Sequence, residues 1–465
     1  MNRYLTVPAM AGVLVAALVA PAFAAPQTPK PKPTLTLHVS DRSLLVGSPV
    51  TVAGRASKGS VLVTRYKGVS STRRLAAGRF QRTVKPGQGK TTFFLKNGRY
   101  RSRTVRVQTN PVTTCTPLKD PTDEAVWTDL STVGSQLAKN IAALICSAAD
   151  GATIDIKSWF IEPGDPDTDL ILADLALMHT YHHVTVNVLI GQQIYEVSSS
   201  LNWDKATAAL RTFATLSSCY RGCVSSDPAA IPHSKWMTVS ATRWGPPAVL
   251  STSANWTREQ WRGTRESGLY LYDDQPLYAA LVTHFNAMVA CGSGTCPTPD
   301  IVTGWVPDGD GNALYLAPQP TDGLVDALSN LTCVPGGEID GMSLFLHDAA
   351  LTNQLSRLQS EGCAIHLLLE HPPAQGLIES FAPMCRIQHD KGLIIDTGAG
   401  VSEAVFGSQD FSVNAAALSD NAMIASTSPE IVAQYRTFFT QASAGESPCV
   451  SAPTPSVAVA EATDG

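Results

Sequence analysis

The segment HDKGLIIDTGAGVSEAVFGSQD, at residues 389–410, repeats a pattern already present at residues 233–255, HSKWMTVSATRWGPPAVLSTSAN. Each copy begins with His-x-Lys, continues through a short apolar run and ends in Ser-x-Asp or Ser-x-Asn. The second histidine and the second lysine each lie 156 positions after the first, at 389 against 233 and at 391 against 235. A shared register of this kind predicts an internal duplication.

The chain around each copy alternates between helix-like and strand-like patterns. Residues 115–292 run through helix, strand, helix and strand before the first copy, and residues 297–445 repeat this order before the second. The alternation predicts an α/β fold in which two α/β/α sandwich halves are related by a pseudo-twofold axis. Such an axis would bring the equivalent loops of the two halves together at one composite site.

The two ends of the chain have compositions of their own. Residues 1–24 combine Arg3, an apolar run and a final Ala-Phe-Ala, so they are predicted to be a signal peptide. A proline-rich linker is predicted at 25–34 and a disordered tail at 446–465. No later segment is long and apolar enough to span a membrane after signal removal. We therefore expect a secreted protein, extracellular or associated with the cell surface, and a monomer.

The front of the chain is basic and the rest is acidic. Residues 35–109 alternate apolar and polar residues in short runs, which predicts a small all-β domain of the immunoglobulin-like type. Residues 1–110 hold 19 Lys and Arg and one acid, Asp41, although the whole chain has 34 Lys and Arg, 39 Asp and Glu, and a net charge of −5. This domain could bind an anionic surface, namely lipid, wall polymer or nucleic acid, or its charges could simply be solvated.

Ten cysteines, all after residue 110, make an even number, and in an exported chain this favours structural disulfides. Zinc is the competing interpretation, but no Cys-x-x-Cys pair occurs. The connectivity is not readable, although Cys219 and Cys223 are close enough for a local link. We expect neither a metal nor any other cofactor.

The repeated motif supplies groups that suit a phosphodiester. Residues two apart on a strand share a face, so each histidine is expected to point the same way as its lysine. Two such sets facing each other would give two histidines and two lysines around one site. Lysines, the Asn255 amide and serine hydroxyls can hold phosphoryl oxygens. One histidine can attack phosphorus while the other protonates the departing alkoxide.

At these residues the sequence resembles the phospholipase D superfamily, whose signature HxKxxxxD, followed by GSxN, occurs once in each half. The first copy matches at His233, Lys235, Ser253 and Asn255. The second copy matches at His389, Lys391, Asp396 and Ser408, with Asp410 in the place of the final Asn. The resemblance covers roughly residues 115 to 445 and leaves the β domain outside it.

Three positions depart from the signature. Ser240 and Thr252 replace the usual Asp and Gly of the first copy, and Asp410 replaces the usual Asn of the second. The resemblance implies structural hydrogen bonds for the motif Asp, so Ser240 need not remove a group that acts on phosphate. Asp410 would repel a phosphodiester unless its carboxylate is paired.

The family also has an acidic residue about a dozen positions beyond Ser-x-Asn, which hydrogen-bonds the far nitrogen of a histidine. Glu266 and Asp420 occupy matching places before apolar, strand-like runs. The resemblance implies that these carboxylates fix the tautomers of the two histidines and support positive charge on them.

The resemblance implies a phosphodiesterase that releases the headgroup of a glycerophospholipid through a phosphohistidine, with transfer to an alcohol as a variant. It makes His233 the nucleophile and His389 the general acid, and the opposite assignment stays open because the halves are chemically similar. A secreted endonuclease of the same superfamily and a surface-binding protein with a decayed site are the alternatives. The candidate site residues are His233, Lys235, Ser253, Asn255, Glu266, His389, Lys391, Asp396, Ser408, Asp410 and Asp420.

Overall fold

The computed structural model describes residues 35–39, 43–45, 50–66, 69–84, 89–110, 115–128, 135–198, 201–225, 227–292, 304–373, 381, 383–385, 388–444 and 447–448. The predicted signal peptide and linker lie outside these ranges, as does the predicted tail beyond residue 448. Within the described ranges, no helix is both long and apolar enough to cross a bilayer.

The first part of the chain forms two β-sheets, as its alternating pattern predicts. The strands are β1 (Thr36–Val39), β2 (Ser43–Leu45), β3 (Val50–Ala56), β4 (Val61–Tyr66), β5 (Val69–Arg74), β6 (Gly78–Val84), β7 (Gly89–Asn97), β8 (Tyr100–Arg101) and β9 (Val105–Asn110). One sheet has the order β1-β3-β6 and the other β2-β9-β7-β4-β5, with β8 paired to β7. The core of this domain includes Val50, Val52, Phe93, Leu95 and Val107, which are fully buried.

The first α/β half follows. Its elements are β10 (Glu124–Trp127), α1 (Gln136–Ile145), β11 (Thr153–Ser158), α2 (Pro166–Tyr181), β12 (Thr185–Gly191), α3 (Gln193–Val197), α4 (Trp203–Leu210), β13 (Thr215–Cys219), β14 (Trp236–Val239), β15 (Ala248–Thr252), α5 (Arg258–Arg262), β16 (Ser267–Tyr272) and α6 (Gln275–Gly292). Its sheet has the order β10-β16-β15-β14-β11-β12-β13.

The second half repeats this plan. Its elements are β17 (Trp305–Pro307), β18 (Asn312–Ala317), α7 (Gly323–Ser329), β19 (Glu338–Ser343), α8 (Ala349–Glu361), β20 (Ala364–Leu369), β21 (Met384–Cys385), β22 (Gly392–Asp396), β23 (Ser402–Gly407), α9 (Val413–Ala417), β24 (Asn421–Ser426), α10 (Pro429–Ser443) and β25 (Ser447–Pro448). Its sheet contains the run β18-β24-β23-β22-β19-β20-β21, which matches the first sheet strand for strand. The predicted α/β duplication is therefore confirmed.

Helices join the parallel strands of each sheet, because parallel neighbours need a crossover. Helix α2 links β11 to β12 and α8 links β19 to β20. An aspartate begins each helix: the Asp165 carboxylate accepts the backbone N–H of Asp167, and the Asp348 carboxylate accepts that of Ala350. Each cap satisfies a donor that has no partner within its helix.

The two His-x-Lys motifs lie just before strands rather than within them. Strand β14 begins at Trp236 and β22 at Gly392, each directly after the motif lysine. The prediction that the motif is part of a strand is therefore wrong. Lys235 Nζ donates to the carbonyl of its own His233, at 2.7 Å, and Lys391 Nζ donates to the carbonyl of His389. Each lysine ammonium therefore donates to the histidine carbonyl. Inside a strand ladder, that carbonyl would accept a backbone N–H of a neighbouring strand.

The two halves share one hydrophobic cluster and exchange backbone hydrogen bonds. The cluster joins Trp236 and Leu269 of the first half to Phe406 and Ile424 of the second. The N–H of His389 donates to the carbonyl of Arg265 at 3.2 Å, and that of Asp420 donates to Ile231 at 2.9 Å. The motif regions of both halves therefore meet at this interface.

Thr252 and Gly407 occupy equivalent strand ends, and the structure explains why they differ. A Cβ on Gly407 would lie 2.1 Å from the carbonyl oxygen of Ala422, so this position has no room for a side chain. In the first half the glycine is on the partner strand, because Thr252 faces Gly268. The Thr252 hydroxyl donates to the Ser267 carbonyl at 2.7 Å and accepts from Ala254 N at 3.1 Å.

Gly407→Ala is therefore expected to destabilise the fold by about 3 kcal/mol, since the obstacle is backbone and cannot turn aside. Chemical denaturation would measure this change. Thr252→Ala is the matched control, and we expect a loss of about 1 kcal/mol from its hydroxyl contacts. Equal losses in the two variants would contradict the steric explanation.

Three disulfides join described cysteines: Cys115 to Cys146, Cys219 to Cys223, and Cys333 to Cys363. The first and third close loops of similar length, with sequence separations of 31 and 30 residues. The second is a local link across four positions. These pairs agree with the expectation of structural disulfides rather than a zinc site.

Candidate active site

Both His-x-Lys motifs are buried where the two halves meet. The exposed fraction is 2% for His233, 1% for Lys235, 5% for His389 and 2% for Lys391. Two histidines and two lysines are expensive to bury unless polar groups compensate for the lost water. The partners of each motif therefore decide what this arrangement can do.

His233 is held by an amide of the second half. Its Nδ1 lies 2.9 Å from Oδ1 of Asn421, which also accepts the hydroxyl of Ser408 at 2.9 Å. Asn421 Nδ2 donates to the carbonyl of Ala415 at 2.8 Å, so the orientation of the amide is fixed. Because an amide oxygen only accepts, the proton of His233 lies on Nδ1. The lone pair on Nε2 is then available for attack.

His389 is held by a carboxylate of the first half. Its Nδ1 lies 2.8 Å from Oε1 of Glu266. Glu266 also accepts the hydroxyls of Ser253, at 2.6 Å, and Thr264, at 2.8 Å. Lys391 Nζ lies 2.9 Å from the same Nδ1. Since an ionised carboxylate only accepts and an ammonium only donates, the Nδ1 proton belongs to the bond with Glu266.

Each histidine is supported by a residue of the opposite half, and the two supporting residues have the same spacing from their motif serines. Asn421 follows Ser408 by 13 positions, and Glu266 follows Ser253 by the same 13. Asn421 is not among the residues predicted from the sequence, because an acidic residue was expected at this place. The spacing of 13 from the motif serine would have identified Asn421. The serine hydroxyls, which were expected to hold phosphoryl oxygens, are instead bonded to the groups that support the histidines.

Asp420 does not contact a histidine, so the expectation for this residue is corrected. Its carboxylate accepts the backbone N–H groups of Cys223 and Val224. Burial raises the pKa of Asp420 to about 6, against these bonds and the charge of Lys157. Burial lowers the pKa of Lys157 to about 7, while Asp420 raises it. Asp420 is adjacent to the true support, Asn421, and binds the Cys219–Cys223 loop instead.

Asp410 is paired, as a carboxylate in this place requires. Its Oδ1 lies 3.6 Å from Nζ of Lys391. The same carboxylate also acts on Lys235. Burial and then the charge of Lys391 lower the pKa of Lys235 well below its usual value, whereas the charge of Asp410 raises it. One carboxylate therefore partly neutralises a cluster of two lysines.

Asn255 and Gln260 present amides near the motif residues. Asn255 is fully buried, and neither atom of its side-chain amide has a hydrogen-bond partner. Gln260 Nε2 lies 3.3 Å from Nε2 of His389, and its Oε1 accepts the backbone N–H of Asn255. Buried amides without partners are costly, so Asn255 is a donor available to a bound phosphoryl group.

Two motif positions lie away from the histidines. Asp396 accepts the N–H of Gly398 at 3.0 Å and lies 3.8 Å from Arg436. Its side chain is 44% exposed. Ser240, its counterpart, accepts the N–H of Thr153 at 2.8 Å through its hydroxyl. Both residues thus make structural hydrogen bonds at the far ends of β22 and β14, and the structure does not bring Asp396 into the site.

The electrostatics of the two histidine supports differ. Burial, followed by the charges of Lys235 and Lys391, lowers the pKa of His233 well below its usual value, against the bond to Asn421. Burial alone would raise the pKa of Glu266, but the charge and hydrogen bond of His389 lower it below its usual value. His233 is therefore neutral at neutral pH, and Glu266 is ionised beside His389.

A small cavity of about 70 Å³ opens beside His233. Its polar wall includes Asp410, Asn414 and Asn421, and its apolar wall includes Ile231 and Phe345. The space is comparable with a phosphate-sized group rather than a whole lipid. A phosphate-sized group therefore fits beside His233, and the rest of any larger molecule must lie outside the cavity.

One group of described residues has the composition of a metal site, but its members form ion pairs with one another and with Arg436. Glu338, Asp340 and His366 bring their ligand atoms within 4.8 Å of one another on β19 and β20. His366 Nδ1 bonds both carboxylates, and Arg436 Nη1 lies 2.7 Å from Glu338. These four residues already form a mutually neutralising network, so they do not fit a cation well. The group lies outside the motif cluster.

The sequence matches no family model and no curated protein. Among solved structures, phosphatidylserine synthase from Haemophilus influenzae Rd KW20 matches with a TM-score of 0.51, covering 70% of this chain and 87% of that one at 10% identity. Polyphosphate kinase from Porphyromonas gingivalis matches with a TM-score of 0.48 at 13% identity and covers 72% of this chain. The match spans 51% of that kinase, about half of its length.

Yeast tyrosyl-DNA phosphodiesterase is a third match, with a TM-score of 0.42 at 10% identity, covering 66% of this chain and 90% of that one. At these identities the likeness concerns the fold. What the chain does must be argued from its own residues.

Proposed function

We propose that this chain, which has the fold of the phospholipase D superfamily, is a phosphodiesterase that acts through a phosphohistidine. Its substrate is a glycerophospholipid, from which it releases the headgroup alcohol, and another alcohol can replace water as the final acceptor. The segment at 1–24 directs the protein out of the cell. The single observation that carries the proposal is the pair of buried histidines, each held at Nδ1 by a residue of the opposite half.

The first step uses His233 as the nucleophile. Its Nε2 attacks phosphorus, the bond from phosphorus to the headgroup oxygen breaks, and His389 gives its proton to the departing alkoxide. Lys235, Lys391 and the amide of Asn255 stabilise the charge on the phosphoryl oxygens. His389 suits the acid role because the carboxylate of Glu266 supports an imidazolium.

The second step reverses the proton movement. Neutral His389 takes a proton from water, whose oxygen attacks the phosphohistidine. The bond between nitrogen and phosphorus breaks, which returns His233 to its starting form and releases phosphatidic acid. An alcohol in place of water would give a new phosphodiester, so hydrolysis and transfer share this intermediate.

The charge of the chain favours a lipid over a nucleic acid. Residues 111–465 hold most of the 39 acids of the sequence and fewer than half of the 34 Lys and Arg. Nucleic-acid binding depends on neutralising many phosphates with cations, and an acidic body opposes this. A lipid presents one phosphodiester per molecule to the site.

The test is headgroup release from mixed phospholipid vesicles by the purified chain, with plasmid nicking measured on the same preparations. We expect choline or ethanolamine release, abolished in His233→Ala and retained in His366→Ala, a surface histidine outside the motif cluster. Nicking without lipid turnover would replace the lipid proposal with the endonuclease. Silence in both assays, with intact folding, would refute both enzymatic functions.

Asn421→Asp is expected to move the acid limb of the kcat/KM profile to higher pH. The substitution places a carboxylate at Nδ1 of His233 and so raises the pKa of this nucleophile. Protonated His233 cannot attack, so activity below neutral pH falls while activity at higher pH persists. The measurement is kcat/KM against pH.

Asn330→Asp is the control for added charge, because Asn330 is exposed at the end of α7. An unchanged acid limb in Asn421→Asp would show that Asn421 does not set the protonation of His233.

Asp410→Asn is expected to tighten binding of an oxyanion inhibitor such as vanadate by about tenfold, because it removes the carboxylate that competes with phosphate for Lys391. The variant also restores the usual Ser-x-Asn. Inhibition constants from the release assay would measure the effect. Asp396→Asn, an equal change of charge at a partly exposed residue away from the histidines, should leave the constant unchanged. Weaker inhibition of Asp410→Asn would show that Asp410 positions Lys391 rather than competing.

A further inference from the structure

One face of the β domain concentrates positive charge. In the ladder of β4 with β5 and β7, Val61 lies opposite Arg74 and Lys96, and Arg65 lies two pairs further along the same face. Arg101 of β8 lies opposite Lys96. The turn before β8 adds Arg99, which lines a groove together with Lys96 and Arg101. We call Arg65, Arg74, Lys96, Arg99 and Arg101 the arginine face.

The arginine face is more basic than the opposite side of the domain. On the outer face of the β1-β3-β6 sheet, register pairs Arg55 with Arg79. No carboxylate occurs among the described residues between 35 and 110, so this face has no acidic partner within its own domain. All five of its cations are exposed. Positive charge that has no anionic partner within its own domain attracts an anionic surface.

The groove within this face is partly pre-organised. The guanidinium of Arg101 lies 3.5 Å from the centre of the Phe94 ring, and its Nη2 donates to the hydroxyl of Thr104 at 3.0 Å. An arginine stacked on an aromatic ring loses less side-chain entropy when an anion binds. The Arg65 side chain is similarly held, because its Nε donates to Ser70 at 3.3 Å.

We propose that the arginine face binds the anionic surface of a phospholipid bilayer. The choice of lipid rests on the proposed function, since this binding would hold the catalytic halves at the surface that contains their substrate. Single-stranded nucleic acid fits the face less well, because it relies on open aromatic rings as stacking platforms. Here the Phe94 ring is covered by Arg101, and Tyr100 is only partly exposed.

The proposal predicts a salt-dependent and additive interaction. Each lysine or arginine close to an anionic leaflet strengthens binding by about fivefold, and the attraction weakens within a Debye length. Vesicles of phosphatidylcholine alone should therefore bind weakly. Vesicles that also contain phosphatidylglycerol should bind the chain at low salt and release it as salt is raised.

The test is co-sedimentation of the full chain with these two kinds of vesicle. The test variant is Lys96→Glu/Arg99→Glu/Arg101→Glu. The matched control is Arg55→Glu/Arg79→Glu/Arg82→Glu, which makes the same change in charge on exposed residues of the β1-β3-β6 sheet. We expect the test variant to bind anionic vesicles at least about tenfold more weakly and the control to stay within about threefold of the parent.

Three outcomes would overturn the proposal: no binding of the parent chain to anionic vesicles, equal losses in both triple variants, or displacement of bound vesicles by a single-stranded oligonucleotide at lower concentration than by soluble phosphatidylglycerol. The His233→Ala chain separates this proposal from the catalytic one. It should bind anionic vesicles without releasing headgroup, so its binding does not depend on turnover. A parent chain that binds these vesicles but releases no headgroup would refute only the proposed function.

Discussion

Replacing His389 by alanine is expected to reduce choline release by at least about 10³-fold, yet to spare a single-turnover burst of p-nitrophenol from a p-nitrophenyl ester. A choline alkoxide needs the proton that His389 supplies, whereas p-nitrophenolate departs without one. The phosphohistidine at His233 should then accumulate, because the same variant lacks the base that activates water. Acid-quenched mass spectrometry of the chain would locate the phosphoryl group.

His233→Ala is the counterpart of this experiment. It should lose release of both leaving groups by at least about 10⁴-fold and form no phosphoenzyme, since the nucleophile itself is absent. The opposite pattern, with the p-nitrophenol burst retained in His233→Ala and a phosphoryl group on His389, would exchange the two roles. The amide of Asn421 favours His233 as the nucleophile, and the carboxylate of Glu266 favours His389 as the acid.

Replacing Glu266 by glutamine is expected to lower kcat by about 10³-fold. The carboxylate of Glu266 lies 2.8 Å from His389 Nδ1 and is fully buried. Solvent therefore cannot stabilise the imidazolium in its place. A glutamine can also offer its NH₂ to Nδ1 and so favour the wrong tautomer. Rates of choline release and of the p-nitrophenol burst would measure the loss.

The leaving group tests what this contact does. Glu266 stabilises the imidazolium that protonates the departing alkoxide, so choline release should fall far more than the first-turnover burst of p-nitrophenol, which needs no proton. Glu259→Gln, the same substitution at an exposed residue of α5, should change neither rate. Equal losses for the two leaving groups in Glu266→Gln would assign Glu266 a purely structural role.

The repeat in the sequence predicted most of the fold and the centre of the site. The shared spacing of His233, Lys235, His389 and Lys391 identified two equivalent halves, and the structure confirms the duplicated sheets. The predicted start of each strand was wrong, because the motif lysines donate to the histidine carbonyls. Periodicity does not reveal such a contact between a side chain and the backbone.

The support of the histidines was harder to predict, because it crosses between the halves. Glu266 was recognised as an acid beyond Ser253, but nothing in the sequence pairs it with His389 rather than His233. At the equivalent place Asp420 attracted attention by its charge, although Asn421 has the matching spacing from Ser408. The expected residue type selected Asp420, whereas the spacing selected its neighbour Asn421. The spacing agrees with the observed contact.

The unlike supports also bear on the history of the molecule. A symmetric dimer of two identical chains would present the same residue, either two glutamates or two asparagines, to its two histidines. A glutamate for one histidine and an asparagine for the other are available only when both copies lie in one polypeptide and can mutate independently. Joining the copies thus allows each imidazole to have its own support, which is what the proposed division between a proton donor and a nucleophile requires.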